Sequence, residues 1–401
     1  MSQESPNHLH LAVALDGAGW HPAAWREPDA RPSELLSPQY WVDLVRESEW
    51  GLLDFVTIED SLAIQSARRG ELDDRTDQVR GRLDAVLVAA RIAPTTSAIG
   101  IVPVTTTTHT EPFHVSKSIA TLDYVSQGRA GVQARVSPTA LEARQFGRRV
   151  IADPSRNGAP SPEPDSLSDL FDEAADFVEV VRRLWDSWED DAEIRDLATG
   201  RFIDRTKVHY IDFEGRWFSV KGPSITPRPP QGQPVVSVLA HVPVAFRLAA
   251  RSADVVFTTP TDEATARSIV ETLRTHEADV SRTGHPLKIF ADLVVFLDED
   301  AARAASRKDG LDQRDGRPLR SDALVFAGTA SELADLMLAW QAQGIEGFRL
   351  RPGAIPHDLE SVTHELVGAL HDRSAFRHHY EDATLRTRLG LSRPANRYAL
   401  A

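Results

Sequence analysis

Short runs of apolar, mostly β-branched residues recur along the chain, with stretches of helical apolar repeat between them. The strand-like runs fall at 10–15, 55–58, 98–104, 130–136, 235–239, 254–258, 289–296 and 347–350. Most are apolar on both faces, the pattern of parallel strands buried between a core and covering helices. Helical periodicity occupies 38–50, 83–92, 112–126, 167–188, 244–252, 262–282, 330–343 and 358–371. Eight strands, each followed by a helix, predict an α/β fold of the (β/α)8 TIM-barrel type, with one domain spanning 1–401. Three stretches interrupt the alternation and are expected as insertions. The first, near 151–168, is rich in Pro, Ser, Asp and Gly. The second, near 188–232, includes VHYIDFEGRWFSV, which reads as two short strands around a Glu-Gly turn, and the proline-rich PSITPRPPQGQP. The third, near 307–323, is charged and contains glycine. In a barrel, excursions that follow strands sit over the C-terminal face, where chemistry takes place.

The composition narrows the class. Of 401 residues, 41% are hydrophobic and 26% charged, as in an ordinary globular chain. No apolar run is long enough to cross a bilayer, and the N-terminus lacks a secretion-signal pattern, so a cytoplasmic location is expected. The absence of cysteine excludes disulfides, thiolate metal sites and cysteine nucleophiles. A formal net charge of −14 argues against a nucleic-acid binder, which needs a basic surface. No metal constellation stands out: His378 and His379 are adjacent in a helical stretch and point apart. The Gly17–Trp20 segment lacks dinucleotide-fingerprint spacing, and neither a P-loop nor a G-x-S-x-G motif is present.

Candidate chemistry gathers at the strand ends. Strand one runs into Asp16, Gly17, Gly19 and His21, and strand two into Glu59, Asp60 and Ser61. Strand three leads to Thr105, Thr106, Thr107, Thr108 and His109, and strand four carries Gln133, Arg135 and Ser137. A funnel lined this way suits a polar planar cofactor or a small substrate. The threonines and Asp60 have a competing reading as loop or helix caps, and a lone histidine is more often a satisfied polar group than a catalyst. The residues alone define a barrel enzyme of undecided class.

Longer motifs carry a resemblance. GAGWHPAAWR (17–26), GLLDFVTIEDSL (51–62), TTTTHTEPFHVSKSIATLDYVSQGRAG (105–131), KVHYIDFEGRWFSVKGP, GFRLRPGAIPHDL and FRHHYEDATLRTRLGLSRP occur in order, almost end to end. In this the chain resembles the bacterial luciferase-like flavin-dependent monooxygenases. The similar branch contains nitrilotriacetate monooxygenase, pristinamycin IIA synthase and dibenzothiophene-sulfone monooxygenase. The resemblance implies a two-component monooxygenase that uses reduced FMN, supplied by a separate flavin reductase, and O2 on a small organic substrate. It also implies a homodimer or homotetramer. By matching position, Asp60, Thr106, Thr107, Gln133 and Ser137 are the expected cofactor-binding residues, joined by Arg135 and His241 on account of their charge, with His21 and His109 the catalytic candidates. Use of F420, as in some relatives of the wider superfamily, is the alternative, as is a non-catalytic ligand-binding homologue.

Departures from the family pattern fall at the expected flavin phosphate. The Gln-Ala-Gly-x-Ser after strand five is Val238-Leu239-Ala240-His241-Val242 here and is followed by Pro243, while a Tyr of the helix after strand four is matched by Phe171. The Trp-Asn pair of strand four is Val132-Gln133, and its Thr is Val136. Apolar residues at donor positions leave a buried dianion poorly paired. Arg135 and His241 are the residues expected to compensate with charge.

Overall fold

Eight parallel strands close on themselves in a computed structural model that describes residues 8–66, 68, 71–151 and 164–399. The first four are β1 (His10–Leu15), β2 (Phe55–Ile58), β3 (Gly100–Thr106) and β4 (Gly131–Arg135). Two small antiparallel pairs follow, β5 (Glu193–Asp196) with β6 (Arg201–Ile203) and β7 (Phe213–Glu214) with β8 (Ser219–Val220). The wall then continues through β9 (Val235–Leu239), β10 (Val255–Thr258) and β11 (Lys288–Leu297). A short strand, β12 (Leu324–Gly328), pairs with the upper half of β11, above the stretch that pairs with β10. The last strand, β13 (Gly347–Pro352), pairs with both β11 and β1 and completes the circle. The fold is the (β/α)8 barrel expected from the sequence.

The covering helices start where the sequence supplies caps. Helix α1 (Pro38–Trp50) is capped by Ser37, whose hydroxyl accepts from the Gln39 amide, and begins on proline. Helices α2 (Ala85–Ile92), α3 (Pro112–Val125), α4 (Ala140–Phe146) and α5 (Pro164–Asp186) follow the next strands. After β9 and β10 come α6 (Pro243–Ser252) and α7 (Glu263–Asp279), the latter with a capping box formed by Asp262 and Thr265. Helix α8 (Ala301–Asp315) precedes β12, and α9 (Ala330–Gln341) carries a second capping box, Thr329 with Glu332. Alternate strand residues such as Phe348 and Leu350 face outward into the main hydrophobic core beneath these helices. At the N-terminal end, Phe55, Phe257 and Phe290 fill the barrel and Leu385 and Leu389 of the C-terminal segment plug it.

Several elements were not foreseen, among them α4, α8, β12 and the β5–β6 pair, and one strand is displaced. The stretch expected as a charged insertion at 307–323 begins inside α8 and leads to β12. That helix buries only Ala304, Leu311 and Asp315, so its apolar repeat is too thin to read. Helix α4, one short turn-rich segment with two buried alanines, was likewise missed. Strand β3 lies two residues beyond its expected span, because Thr105 and Thr106 pair with Ala134 and Arg135 of β4. The two strands expected within 208–220 are present as β7 and β8. Of the expected insertion at 151–168, residues 152–163 lie outside the described residues.

The barrel is laced at its seam by the loops that leave β1 and β13. The amides of Trp20 and His21 donate to the carbonyls of Pro352 and Gly353, both at 2.9 Å, and the Ile355 amide returns to Ala18 at 2.8 Å. Gly19 makes this approach possible. Its φ is +126°, and a Cβ there would stand 2.6 Å from the Gly353 carbonyl oxygen. Replacement of Gly19 by alanine is therefore expected to cost at least ~2 kcal/mol, through backbone strain and overlap together. Chemical denaturation of the variant against the parent measures this, and it should show a lower midpoint at an unchanged slope.

Candidate active site

Arg349 and Arg351 stand two residues apart on β13, so strand geometry points both side chains to the same face, the barrel interior. Each is almost fully buried, at 1% and 2% exposure, and both converge on one carboxylate, Asp292 of β11. Arg349 donates through Nε to Asp292 Oδ1 at 2.8 Å and through Nη2 to Oδ2 at 2.5 Å. Arg351 donates to the same Oδ2 through Nε at 3.1 Å and also through Nη2. The remaining donors find partners on other strands. Arg349 Nη1 reaches Gln133 Oε1 of β4 at 2.6 Å and Thr57 Oγ1 of β2 at 3.4 Å. Arg351 Nη1 reaches Asp322 Oδ1, on the loop between α8 and β12, at 2.7 Å.

Aromatic rings bound this layer from below and above. The Arg349 guanidinium lies 3.9 Å from the Phe257 ring centre, and that of Arg351 lies 4.6 Å from the Trp20 ring centre. Glu59, beyond the end of β2, stands 3.8 Å from Arg349 Nη1. Burial pushes the Glu59 carboxyl above its ordinary range, against the pull of Arg349. Burial acts the same way on Asp322, but there the bonds from Arg351 prevail and the carboxyl is held low.

This charged layer is the floor of a cavity of about 510 Å³ at the C-terminal mouth of the barrel. Its walls are apolar: Val136 and Pro138 follow β4, Leu167 and Phe171 come from α5, and Val238, Leu239, Val242, Ala245 and Leu248 come from β9 and α6. A second cavity of about 220 Å³ lies on the other side of Trp20, lined by Asp16, His21 and Arg82 among others. Trp20 borders both, and its indole N–H is fixed to the Ala14 carbonyl at 2.9 Å.

The residues singled out in the sequence are distributed unevenly around this site. Gln133, Arg135 and His241 border the main cavity. Arg135 donates to Thr106 Oγ1 at 3.1 Å, to the Asp60 carbonyl at 2.7 Å and to Glu142 at 2.8 Å. His241 is exposed on the rim. Thr106 and Thr107 are buried, and Thr107 donates to the Arg135 carbonyl at 3.1 Å. Asp60 is half-buried, accepts from the Ser61 amide at 2.8 Å and is raised by burial. Ser137 shares a hydrogen bond with Thr139 at 3.1 Å.

The two histidines stand apart from the main cavity. His21 accepts the Ala23 amide at Nδ1 (3.0 Å), which leaves Nε2 to donate to Asp312 at 3.1 Å. Burial holds this ring below its ordinary pKa, consistent with the neutral tautomer these bonds require. His109 is also held low by burial, stacks on Phe146 with ring centres 5.2 Å apart, and has no hydrogen-bond partner for Nε2 among the described residues. Sequence reasoning missed Arg349, Arg351, Asp292 and Asp322. A signal was present: Asp292 interrupts an otherwise apolar run, and the two arginines alternate within a strand, so burial of charge was implied.

A mouth-facing cavity with apolar walls and a charged floor defines a barrel enzyme that holds a flat polar ring system or a small organic substrate. The comparisons fix the class. The luciferase-like monooxygenase family model matches residues 19–347. The chain is 30% identical to the N-acetyl-S-(2-succino)cysteine monooxygenase of Bacillus subtilis (strain 168), over 98% of both chains. It is 28% identical to nitrilotriacetate monooxygenase component A of Aminobacter aminovorans, again over 98% of each. The solved structure of a long-chain alkane monooxygenase superimposes with a TM-score of 0.84 at 22% identity, covering 96% of this chain and 95% of the other. The chain belongs to the luciferase-like monooxygenase family and is a flavin-dependent monooxygenase. No helix among the described residues is long and apolar enough to cross a membrane.

The cavity fits the two ends of a flavin unequally. Its size and walls suit the ring system. Its walls do not suit a phosphate dianion, since Phe171, Val242, Ala245 and Leu248 bear no donor side chain. At the start of α6, Pro243 has no N–H and the Ala245 and Phe246 amides both return to the Val242 carbonyl, at 2.9 and 3.1 Å, which leaves the Val244 amide as the first-turn donor without a backbone acceptor among the described residues.

Because one carboxylate serves two buried guanidinium groups, Asp292→Ala should be among the most damaging changes in the barrel. Its removal leaves uncompensated buried charge, at a cost of about 3–5 kcal/mol. Equilibrium unfolding will show whether the loss is that large, and a change below ~1 kcal/mol would mean that the pair is not what holds the layer.

Proposed function

We propose that the chain is the oxygenase component of a two-component system, taking reduced FMN from a separate flavin reductase and oxidising a small organic substrate with O2. The observation that carries this reading is the make-up of the barrel mouth. One cavity there is of flavin size, and its neighbour across Trp20, about 220 Å³, is too small for a nicotinamide dinucleotide as well. This supports the reading that reducing equivalents arrive on the flavin itself. The sequence agrees, since no dinucleotide fingerprint is present. Assembly as a homodimer or homotetramer is part of the same proposal.

The flavin supplies the oxygen chemistry in this family. The chain's own residues shape and dry the cavity: Phe171, Val238 and Leu239 exclude water from its walls. Gln133, whose side-chain oxygen is held by Arg349, is assigned to the polar edge of whatever ring lies on the floor, with Arg349 and Arg351 forming the charged layer beneath it. Their donors and acceptors are fixed in advance by Asp292, so little reorganisation accompanies binding. His21 is assigned a positioning role, since both its ring nitrogens are engaged and it holds the turn that carries Trp20.

Trp20 is a built-in reporter, because it borders the cavity. Anaerobic titration of the purified chain with reduced FMN, oxidised FMN and F420 should quench its fluorescence most strongly with reduced FMN, and Trp20→Phe should remove most of that signal. Selective binding of F420 would replace the proposal with hydride transfer. Failure of all three to bind would remove the flavin reading for this chain.

A further inference from the structure

Among the described residues, the cavity leaves a phosphate dianion without an uncommitted charged side chain in either orientation of a bound flavin. At the mouth end, the wall is Val136, Pro138, Phe171, Val242, Ala245 and Leu248, none of which donates a side-chain hydrogen bond. Two ionisable groups border that end, Arg135 and His241. Arg135 is already committed, with a donor on Thr106, another on the Asp60 carbonyl and a third on the buried Glu142. Drawing it toward a phosphate would strip Glu142 of its cation, and Glu142 Oε2 already lacks a hydrogen-bond partner among the described residues. His241 is exposed, so a bond made there competes with water. At the floor, Arg349 and Arg351 are consumed by Asp292, and the carboxylates of Asp322 and Glu59 stand beside them. A dianion placed there would meet net acidic neighbours, not an open cation.

On the reading that the chain binds flavin, we infer that this cavity recognises the isoalloxazine ring and ribityl chain and takes no affinity from the phosphate. The ligand class it selects is a flavin irrespective of its 5′-phosphate, so riboflavin binds as well as FMN. This property separates the pocket from one built around an anion clamp, in which charge-assisted bonds to phosphate supply much of the binding.

The experiment is a paired anaerobic titration of the full-length chain with reduced FMN and with reduced riboflavin, read by tryptophan fluorescence. One charge-assisted hydrogen bond to the phosphate would separate the two dissociation constants by ~10- to 100-fold. The expected result is two constants within about threefold of each other, which corresponds to no such bond. The same titrations on Arg135→Gln and on His241→Ala should leave the FMN-to-riboflavin ratio unchanged. FMN binding tighter than riboflavin by about tenfold or more, or a selective loss of FMN affinity in either variant, overturns the inference while leaving the flavin reading intact. If neither flavin binds, the flavin reading itself fails and the inference falls with it.

Discussion

Asp292 lies fully buried inside the barrel with a guanidinium on either side, and the height, composition and rigidity of the active-site floor all follow from that contact. A lone carboxylate in such a place would be expelled or neutralised, and so would either arginine. Together they persist because every charged atom has a partner. Arg349 spends its second amino group on Gln133 and Thr57, which ties β13 to β4 and β2, while Arg351 spends its own on Asp322 and anchors the loop ahead of β12. The flat faces of the guanidinium groups are then free for aromatic rings. Phe257 supports the lower one and Trp20 covers the upper one, so a single carboxylate sets the spacing between the hydrophobic plug and the rim.

This arrangement separates polarity from shape in the cavity. The polar groups of the floor are already engaged before any ligand arrives, whereas the walls, apart from Arg135 and His241 at the mouth, are apolar side chains of α5, β9 and α6. A ligand therefore finds fixed dipoles at one end and a dry surface along its length. For oxygen chemistry on a flavin, such a surface helps to keep water from the reacting region. The location of the site at the C-terminal ends of the strands follows from barrel geometry, and the particular floor follows from Asp292, Arg349 and Arg351.

The fold was legible because its signal is repeated eight times. Six of the eight expected helices begin within a residue of where the periodicity places them, and β1, β2 and β9 match residue for residue. The errors fall where burial is sparse: α8, with three buried residues on fifteen, offers too few apolar positions for a period to show. The site was less legible. The strand ends hold Gln133, Arg135 and His241, which border the cavity, but also Thr106 and Thr107, whose hydroxyl oxygens are engaged with Arg135 and its carbonyl. The floor lies deeper, within the strands, where charge in a buried run is the clue. That clue needs the pairing partner to be interpreted, and Asp292 and Arg349 are separated by 57 residues. Sequence spacing cannot supply such a pair; barrel closure does.

A flavin that arrives already reduced and leaves after use imposes different demands from one that stays. A resident cofactor profits from every contact that slows dissociation, and a phosphate clamp is an efficient way to gain them. A flavin passed between two proteins must exchange, and most differences in affinity are differences in dissociation rate. In this chain the wall beside α6 is made of valine, alanine and leucine, and the nearest arginine is held by Glu142. Recognition then falls to the ring and the ribityl chain, the parts that must be placed accurately against substrate, and the phosphate is not needed to fix them. On this proposal the wall residues bear on how long the flavin is held, while the floor beneath its ring is set separately by Asp292, Arg349 and Arg351.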